Sequence, residues 1–127
     1  MKFLIDTNIL IYFFNGGLAP ELRNKIEDIL ETSFVIAGIS RIEFLGWKKL
    51  TDETKIQADL FLKFAKVLRM DGKTEDLAIQ IRKNHSTHLP DAIIAATAIQ
   101  HGITLVTRNI DDFARIPHLA LYNPFEG

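Results

Sequence analysis

The sequence predicts an α/β fold: a central parallel sheet of four to five strands with helices on both faces. Three observations predict it. Short apolar runs such as Phe3-Leu4-Ile5 and Phe34-Val35-Ile36-Ala37 do not alternate with polar residues, which is the pattern of strands covered on both faces. These runs alternate along the chain with segments of helical periodicity, the arrangement that connects parallel strands. The runs also lead towards acidic residues, as expected where a doubly wound sheet gathers its site beyond the carboxyl ends of its strands.

The first strand ends at Asp6. Any of Asp6, Thr7 and Asn8 can cap the helix expected through Ile9 to Phe14. Asn15-Gly16-Gly17 breaks that helix. Pro20 opens a second one, with Leu22, Ile26, Ile29 and Leu30 on one face and Glu21, Arg23, Lys25, Glu27 and Asp28 on the other. It stops at Thr32-Ser33, and residues 34–37 form the second strand. Ser40 followed by Glu43 has the spacing of a capping box, so a third helix is expected from Ser40 through Phe44, Leu45 and Trp47. A charged amphipathic helix comes next over 52–64, then a short strand centred on Val67-Leu68. Residues 72–84 read as a helix with Leu77, Ala78 and Ile81 inward, and His85 to His88 as a loop. Residues 89–102, LPDAIIAATAIQHG, start with Pro90, stop at Gly102 and are apolar nearly all round; such a helix packs on several sides. Thr104 to Thr107 is the fourth strand, Arg108 to Phe113 a turn and short helix, and Leu119 to Tyr122 a last strand stopped by Asn123-Pro124.

Composition narrows the function. The 127 residues are 47% hydrophobic and 24% charged, as expected for one domain spanning 1–127 with a real core. A net charge of −1 supplies no global basic field, so a phosphate-bearing substrate needs a local basic group or a metal. The absence of cysteine excludes disulfides, thiolate zinc sites and cysteine nucleophiles, and fits a reducing cytoplasm. The apolar N-terminus carries Asp6 and Asn8, lacks a small-residue cleavage site and is too short to span a bilayer, so it is expected in the core of a soluble protein.

The chemistry lies at the residues just past the strands. Asp6 ends the first, Glu43 comes after the second, Asp91 opens the helix leading to the fourth, and Asn109, Asp111 and Asp112 come after the fourth. Each has an ordinary structural reading as a cap, a capping-box partner, a helix-dipole acid or a turn residue. Together they would converge on one rim, where carboxylates repel and hold their protons to higher pH. A divalent cation relieves that repulsion, and all-oxygen ligation favours Mg²⁺ or Mn²⁺. Such a cluster suits phosphoryl chemistry with an activated water and no nucleophilic side chain.

Asp6-Thr7-Asn8 after an apolar strand, Glu43 within ISRIEFLG, LPDAIIAATA around Asp91, and LVTRNIDDF, in this order, resemble the PIN-domain ribonucleases, nearest the VapC-type toxins of toxin–antitoxin pairs. The resemblance spans essentially the whole chain and implies a single PIN domain and a cytoplasmic endoribonuclease acting on RNA. It also implies a cognate antitoxin and a homodimer. By it, Asp6, Glu43 and Asp91 are the metal-binding acids, Asn8 holds their geometry and Thr107 lies at the floor of the site. Asn109 stands where the family often has an acid, which leaves fewer charges for a second ion. Asp112 is the expected substitute acid and Asp111 a solvent-facing turn residue.

Arg108, beside Asn109, is the expected contact to an RNA phosphate, while Lys48, Lys49, Arg82, Lys83 and Arg115 read as solvated charge. His85 and His88 read as an exposed loop pair. Tyr12, Phe13 and Phe14, and likewise Trp47 with Leu50, read as core with a partly exposed rim, a patch of the kind an antitoxin helix would want. Two rivals share the acid pocket. A receiver-type signalling domain needs paired acids after the first strand and a lysine near the last, and neither is present. A catalytically silent binding module of the same fold would not need all three core acids. No P-loop or dinucleotide fingerprint occurs.

Overall fold

Strand β1 (Phe3–Ile5) runs alongside β4 (Thr104–Val106), pairing Leu4 with Leu105 and Ile5 with Val106, and β4 runs alongside β5 (Leu121–Tyr122). Strand β2 (Val35–Ala37) pairs with β3 (Lys66–Leu68). All of these pairings are parallel. The computed structural model describes residues 1–126. Its helices are α1 (Thr7–Asn15), α2 (Pro20–Thr32), α3 (Gly38–Leu45), α4 (Asp52–Leu62), α5 (Gly72–Asn84), α6 (Leu89–His101) and α7 (Ile110–Phe113). The expected parallel sheet is present, in two pieces: β1-β4-β5 and β2-β3.

The two pieces meet at a seam between β1 and β2 with no strand ladder across it. Ser33, buried just before β2, takes the place of one. Its hydroxyl accepts the amides of Lys2 (3.2 Å) and Phe3 (3.0 Å) and donates to the Phe3 carbonyl (3.1 Å). Ser33→Ala removes a buried partner from three backbone groups at once. It is expected to cost about 1–3 kcal/mol, measurable as a lower urea midpoint with an unchanged slope.

Period-two geometry sends alternate strand residues to opposite faces. Leu4, Leu105, Val35, Ala37 and Leu68 pack into one core with α5 and α6, and Ile5, Val106 and Ile36 into a second with α1 to α4. Both faces are covered, which is why the strands read as unbroken apolar runs. Helix α6 buries Ala92, Ile94, Ala95, Ala96, Thr97 and Ala98, so it packs on several sides as expected. Gly102 ends it in the left-handed conformation (φ 63°), its N–H bonded back to the helix carbonyls.

Several expectations change. Helix α3 starts at Gly38, directly from β2, with no side-chain cap. Ser40 is buried inside the helix rather than capping it, so the capping box with Glu43 does not form. The aromatic segment is core with a partly exposed rim, as expected: Phe13 stacks on Phe61 (5.8 Å), Phe14 meets Phe44 edge-on (5.4 Å) and Tyr12 is exposed. The exposed apolar side chains include Ile56, Leu60 and Phe64, four apart along α4 and just beyond it. Among the described residues no helix is long and apolar enough to cross a membrane.

Candidate active site

The β1–β4 ladder continues past the strand end: the Asp6 N–H donates to the Val106 carbonyl at 2.9 Å. That sets Asp6 beside Thr107. Asp6 is the N-cap of α1, and its Oδ1 accepts the Thr7 N–H at 2.8 Å. Its Oδ2 accepts the Thr107 hydroxyl at 2.7 Å. Thr107 is fully buried and its Oγ1 in turn accepts the Asn109 N–H (3.0 Å) and, at 3.4 Å, the Asn8 amide. The Asn8 carbonyl oxygen takes the Arg108 N–H at 3.4 Å. Asn8 therefore braces Thr107 and Arg108 together, and through Thr107 the carboxylate of Asp6.

The second acid arrives from across the seam. Thr7 donates to Glu43 Oε1 at 2.7 Å and lies 2.9 Å from the Ser40 hydroxyl. A tertiary partner on α1 thus claims both members of the would-be capping box. The sequence marks Thr7 only as a candidate cap. The signal it left was an unbroken polar triplet, of which only one member was needed to start the helix.

Asp91 lies half-buried in the first turn of α6. Burial raises its pKa, Asp112 and Glu43 raise it further, and His88 opposes them. Burial pushes Asp6 up to about 6 against the hydrogen bonds of Thr107 and Thr7, with Asp91 and Glu43 adding to the rise. The acids therefore share one field. Asp91 and Asp112 face a cleft of about 570 Å³, together with His85, His88, Asp111 and Arg115. Asp111 and Asp112 also line a neighbouring cleft of about 270 Å³ with Arg108, Asn109 and Glu126. Asp6 and Glu43 do not line the larger cleft. Asn109 occupies the N-cap position of α7 without capping it by its side chain.

His85 and His88 lie on the loop between α5 and α6, as expected, and line the cleft wall with Arg115. One sequence reading needs correction. Arg82 is not merely solvated; its guanidinium donates to the Thr87 carbonyl at 3.1 Å and fastens that loop.

The donors around Asp6 are all oxygen, and the acids repel one another. That combination suits a hard divalent cation. Among the described residues no three His, Cys, Asp or Glu side chains are grouped tightly enough to hold a metal ion as they stand. What fits the ion is the chemistry of the donor set and the raised pKa of the buried acid.

The PIN-domain family matches residues 3–119. The chain is 31% identical to Ribonuclease VapC2 of Rickettsia felis, covering 97% of this chain and 98% of that protein. Among solved structures it is similar to a toxin–antitoxin complex from Klebsiella pneumoniae, with TM-score 0.77, 32% identity and 98% of each chain covered. It is similar also to the DNA-bound VapBC of Salmonella typhimurium, with TM-score 0.84, 26% identity and 98% of each chain covered. The match leaves no place for the receiver-type alternative.

Proposed function

The chain belongs to the PIN-domain family, in its VapC branch, and from that premise we propose that it is a Mg²⁺- or Mn²⁺-dependent endoribonuclease acting as the toxin of a toxin–antitoxin pair. The observation that carries the proposal is the buried Asp6 carboxylate, braced by Thr7 and Thr107 and raised in pKa by burial and by Asp91 and Glu43. Asp6, Glu43 and Asp91 would hold the ion. When bound, it supplies polarisation of the phosphodiester and a lowered pKa for water. Asp112, exposed at the junction of the two clefts, takes the proton of the attacking water. Asn8, Thr107 and the Asn109 backbone keep Asp6 aimed.

The partners fit the surface. The exposed Ile56, Leu60 and Phe64 supply an apolar face for an antitoxin helix. Exposed Ile42 and Met70 rim a hollow of about 230 Å³ floored by Leu68 and Ile93, a face suited to a second copy of the chain. We place the protein in the cytoplasm, where its RNA substrate and antitoxin would be.

The test is cleavage of structured and unstructured RNA by purified, antitoxin-free chain in Mg²⁺, Mn²⁺ or EDTA, beside Asp91→Ala. Cuts are expected with either metal, none in EDTA and none from the variant. Cuts that persist in the variant belong to a contaminant. Intact RNA in all conditions, across a panel of messenger, transfer and ribosomal RNA, supports the catalytically silent module instead.

A further inference from the structure

Arg108 comes directly after Thr107, and two aromatic rings hold its guanidinium. The guanidinium carbon lies 4.9 Å from the centre of the Tyr12 ring and 4.5 Å from that of Phe125. The two rings meet edge-to-face at 5.3 Å. Three separate segments build this arrangement. Tyr12 lies one turn beyond Asn8 on α1, and Asn8 takes the Arg108 N–H. Asn123, just after β5, donates to the Arg108 carbonyl at 3.4 Å and accepts the Phe125 N–H at 2.9 Å. Backbone and side chain of Arg108 are thereby fixed at the mouth of the site.

The guanidinium nevertheless has unused hydrogen-bonding capacity. Among the described residues no protein acceptor takes its N–H donors, and the one salt bridge is elsewhere. Arg23 provides the comparison within the same molecule. It too stacks on a ring, Phe13 at 4.3 Å, yet it donates to the Phe13 carbonyl and pairs with Glu27. Arg23 is a finished structural contact. Arg108 is held as firmly but with its donors open, in the wall of a cleft that it shares with Asn109, Ile110 and the acids Asp111, Asp112 and Glu126. A planar fork of donors, pre-oriented on aromatic faces, matches the oxygens of a phosphate.

We propose that Tyr12, Arg108 and Phe125 form a clamp for a backbone phosphate of the RNA that flanks the one being cut. Arg108 makes the contact; Tyr12 and Phe125 are positioning residues. The proposal rests on the nuclease reading, and it makes the C-terminal segment part of the substrate site. The acids repel an incoming phosphodiester, and the clamped arginine offers compensating charge beside them.

The test measures binding without cleavage. Fluorescein-labelled oligouridylate is titrated into full-length Asp6→Asn chain in EDTA, over a range of salt concentrations, with and without Arg108→Ala. Loss of one phosphate contact is expected to weaken binding about fivefold to thirtyfold and to flatten the slope of log affinity against log salt by about 0.7. Arg108→Lys should restore the slope and only part of the affinity, since a lysine keeps the charge without the planar fork. Tyr12→Leu and Phe125→Leu should weaken binding about threefold while leaving the slope nearly unchanged. If Arg108→Ala lowers the melting temperature but binds with parental affinity and slope, the stack is only a fastener for the C-terminal segment and the proposal is overturned. Parental RNA binding combined with lost affinity for an acidic antitoxin peptide overturns it as well. A parent chain that binds no oligouridylate while the wild-type chain cuts RNA overturns the clamp and leaves the nuclease reading standing.

Discussion

Asp6→Asn is expected to reduce RNA cleavage at least a thousandfold and, in EDTA at pH 8, to make the protein more stable. Both effects come from one carboxylate. Asp6 is 5% exposed and its pKa is raised from 3.8 to about 6, first by burial and then by Asp91 and Glu43. Between those two values the folded chain holds a proton that the unfolded chain has released. Stability contributed at this position is therefore intact below pH 3.8, falls as pH rises, and is lost above about pH 6. A shift of this size corresponds to about 2–3 kcal/mol of penalty at pH 8. Asparagine removes the charge and keeps the shape. Its amide must still accommodate the Thr107 hydroxyl, which now donates to Asp6; that rearrangement costs about 1 kcal/mol. The net expectation is a gain of about 1–2 kcal/mol at pH 8 that shrinks to nothing or reverses near pH 4. Urea unfolding at the two pH values reads it. An activity loss accompanied by destabilisation at pH 8 would mean that Asp6 serves the fold rather than the site.

Phe44→Ala is expected to cost about 3–5 kcal/mol, a large share of the roughly 5–15 kcal/mol that keeps a domain folded. Phe44 is fully buried and edge-on both to Phe14 at 5.4 Å and to Phe61 at 6.1 Å. Its removal opens a cavity under α3 at the residue next to Glu43. The melting temperature should fall by about 10–20 °C. Phe44→Leu, which keeps more of the volume, should cost about 1–2 kcal/mol. A loss below about 1 kcal/mol for the alanine variant would show that the α1–α3–α4 core can collapse around the gap.

The parts of the fold legible in the sequence were those set by local chemistry. Unbroken apolar runs marked the strands because both faces of each strand are buried. Pro90 and Gly102 bracketed α6 because each fits a backbone conformation found at one helix end. What depended on side chains from distant segments was hidden. Ser40 looked like a cap, yet β2 runs into α3 without a loop and the Ser40 hydroxyl meets Thr7 instead. Phe13 and Phe14 read as core with an exposed rim, but nothing near them in sequence announces Phe61 and Phe44 as their partners. The order of acids could be read as a series of strand exits. That Asp91 and Asp112 border an open cleft while Asp6 is buried and does not line it could not, because depth is set by packing and not by spacing. Arg82 reads as solvated charge for a related reason: its bond to the Thr87 carbonyl fastens a loop and has no local motif.

The seam between β1 and β2 has a consequence for motion. Asp6 stands on one bank and Glu43 on the other. Both cores span the joint, but its hydrogen bonds are single side-chain bridges: the Ser33 hydroxyl at one end, the Thr7–Glu43 bond at the other. Such bridges open locally at lower free energy than a run of strand hydrogen bonds. Opening there would part the two acids, and an ion shared by them would act as a rivet. The amides of Lys2 and Phe3 are the reporters of this breathing. Their hydrogen exchange should be faster than that of Leu105 in the adjoining ladder, and it should slow when the site is filled.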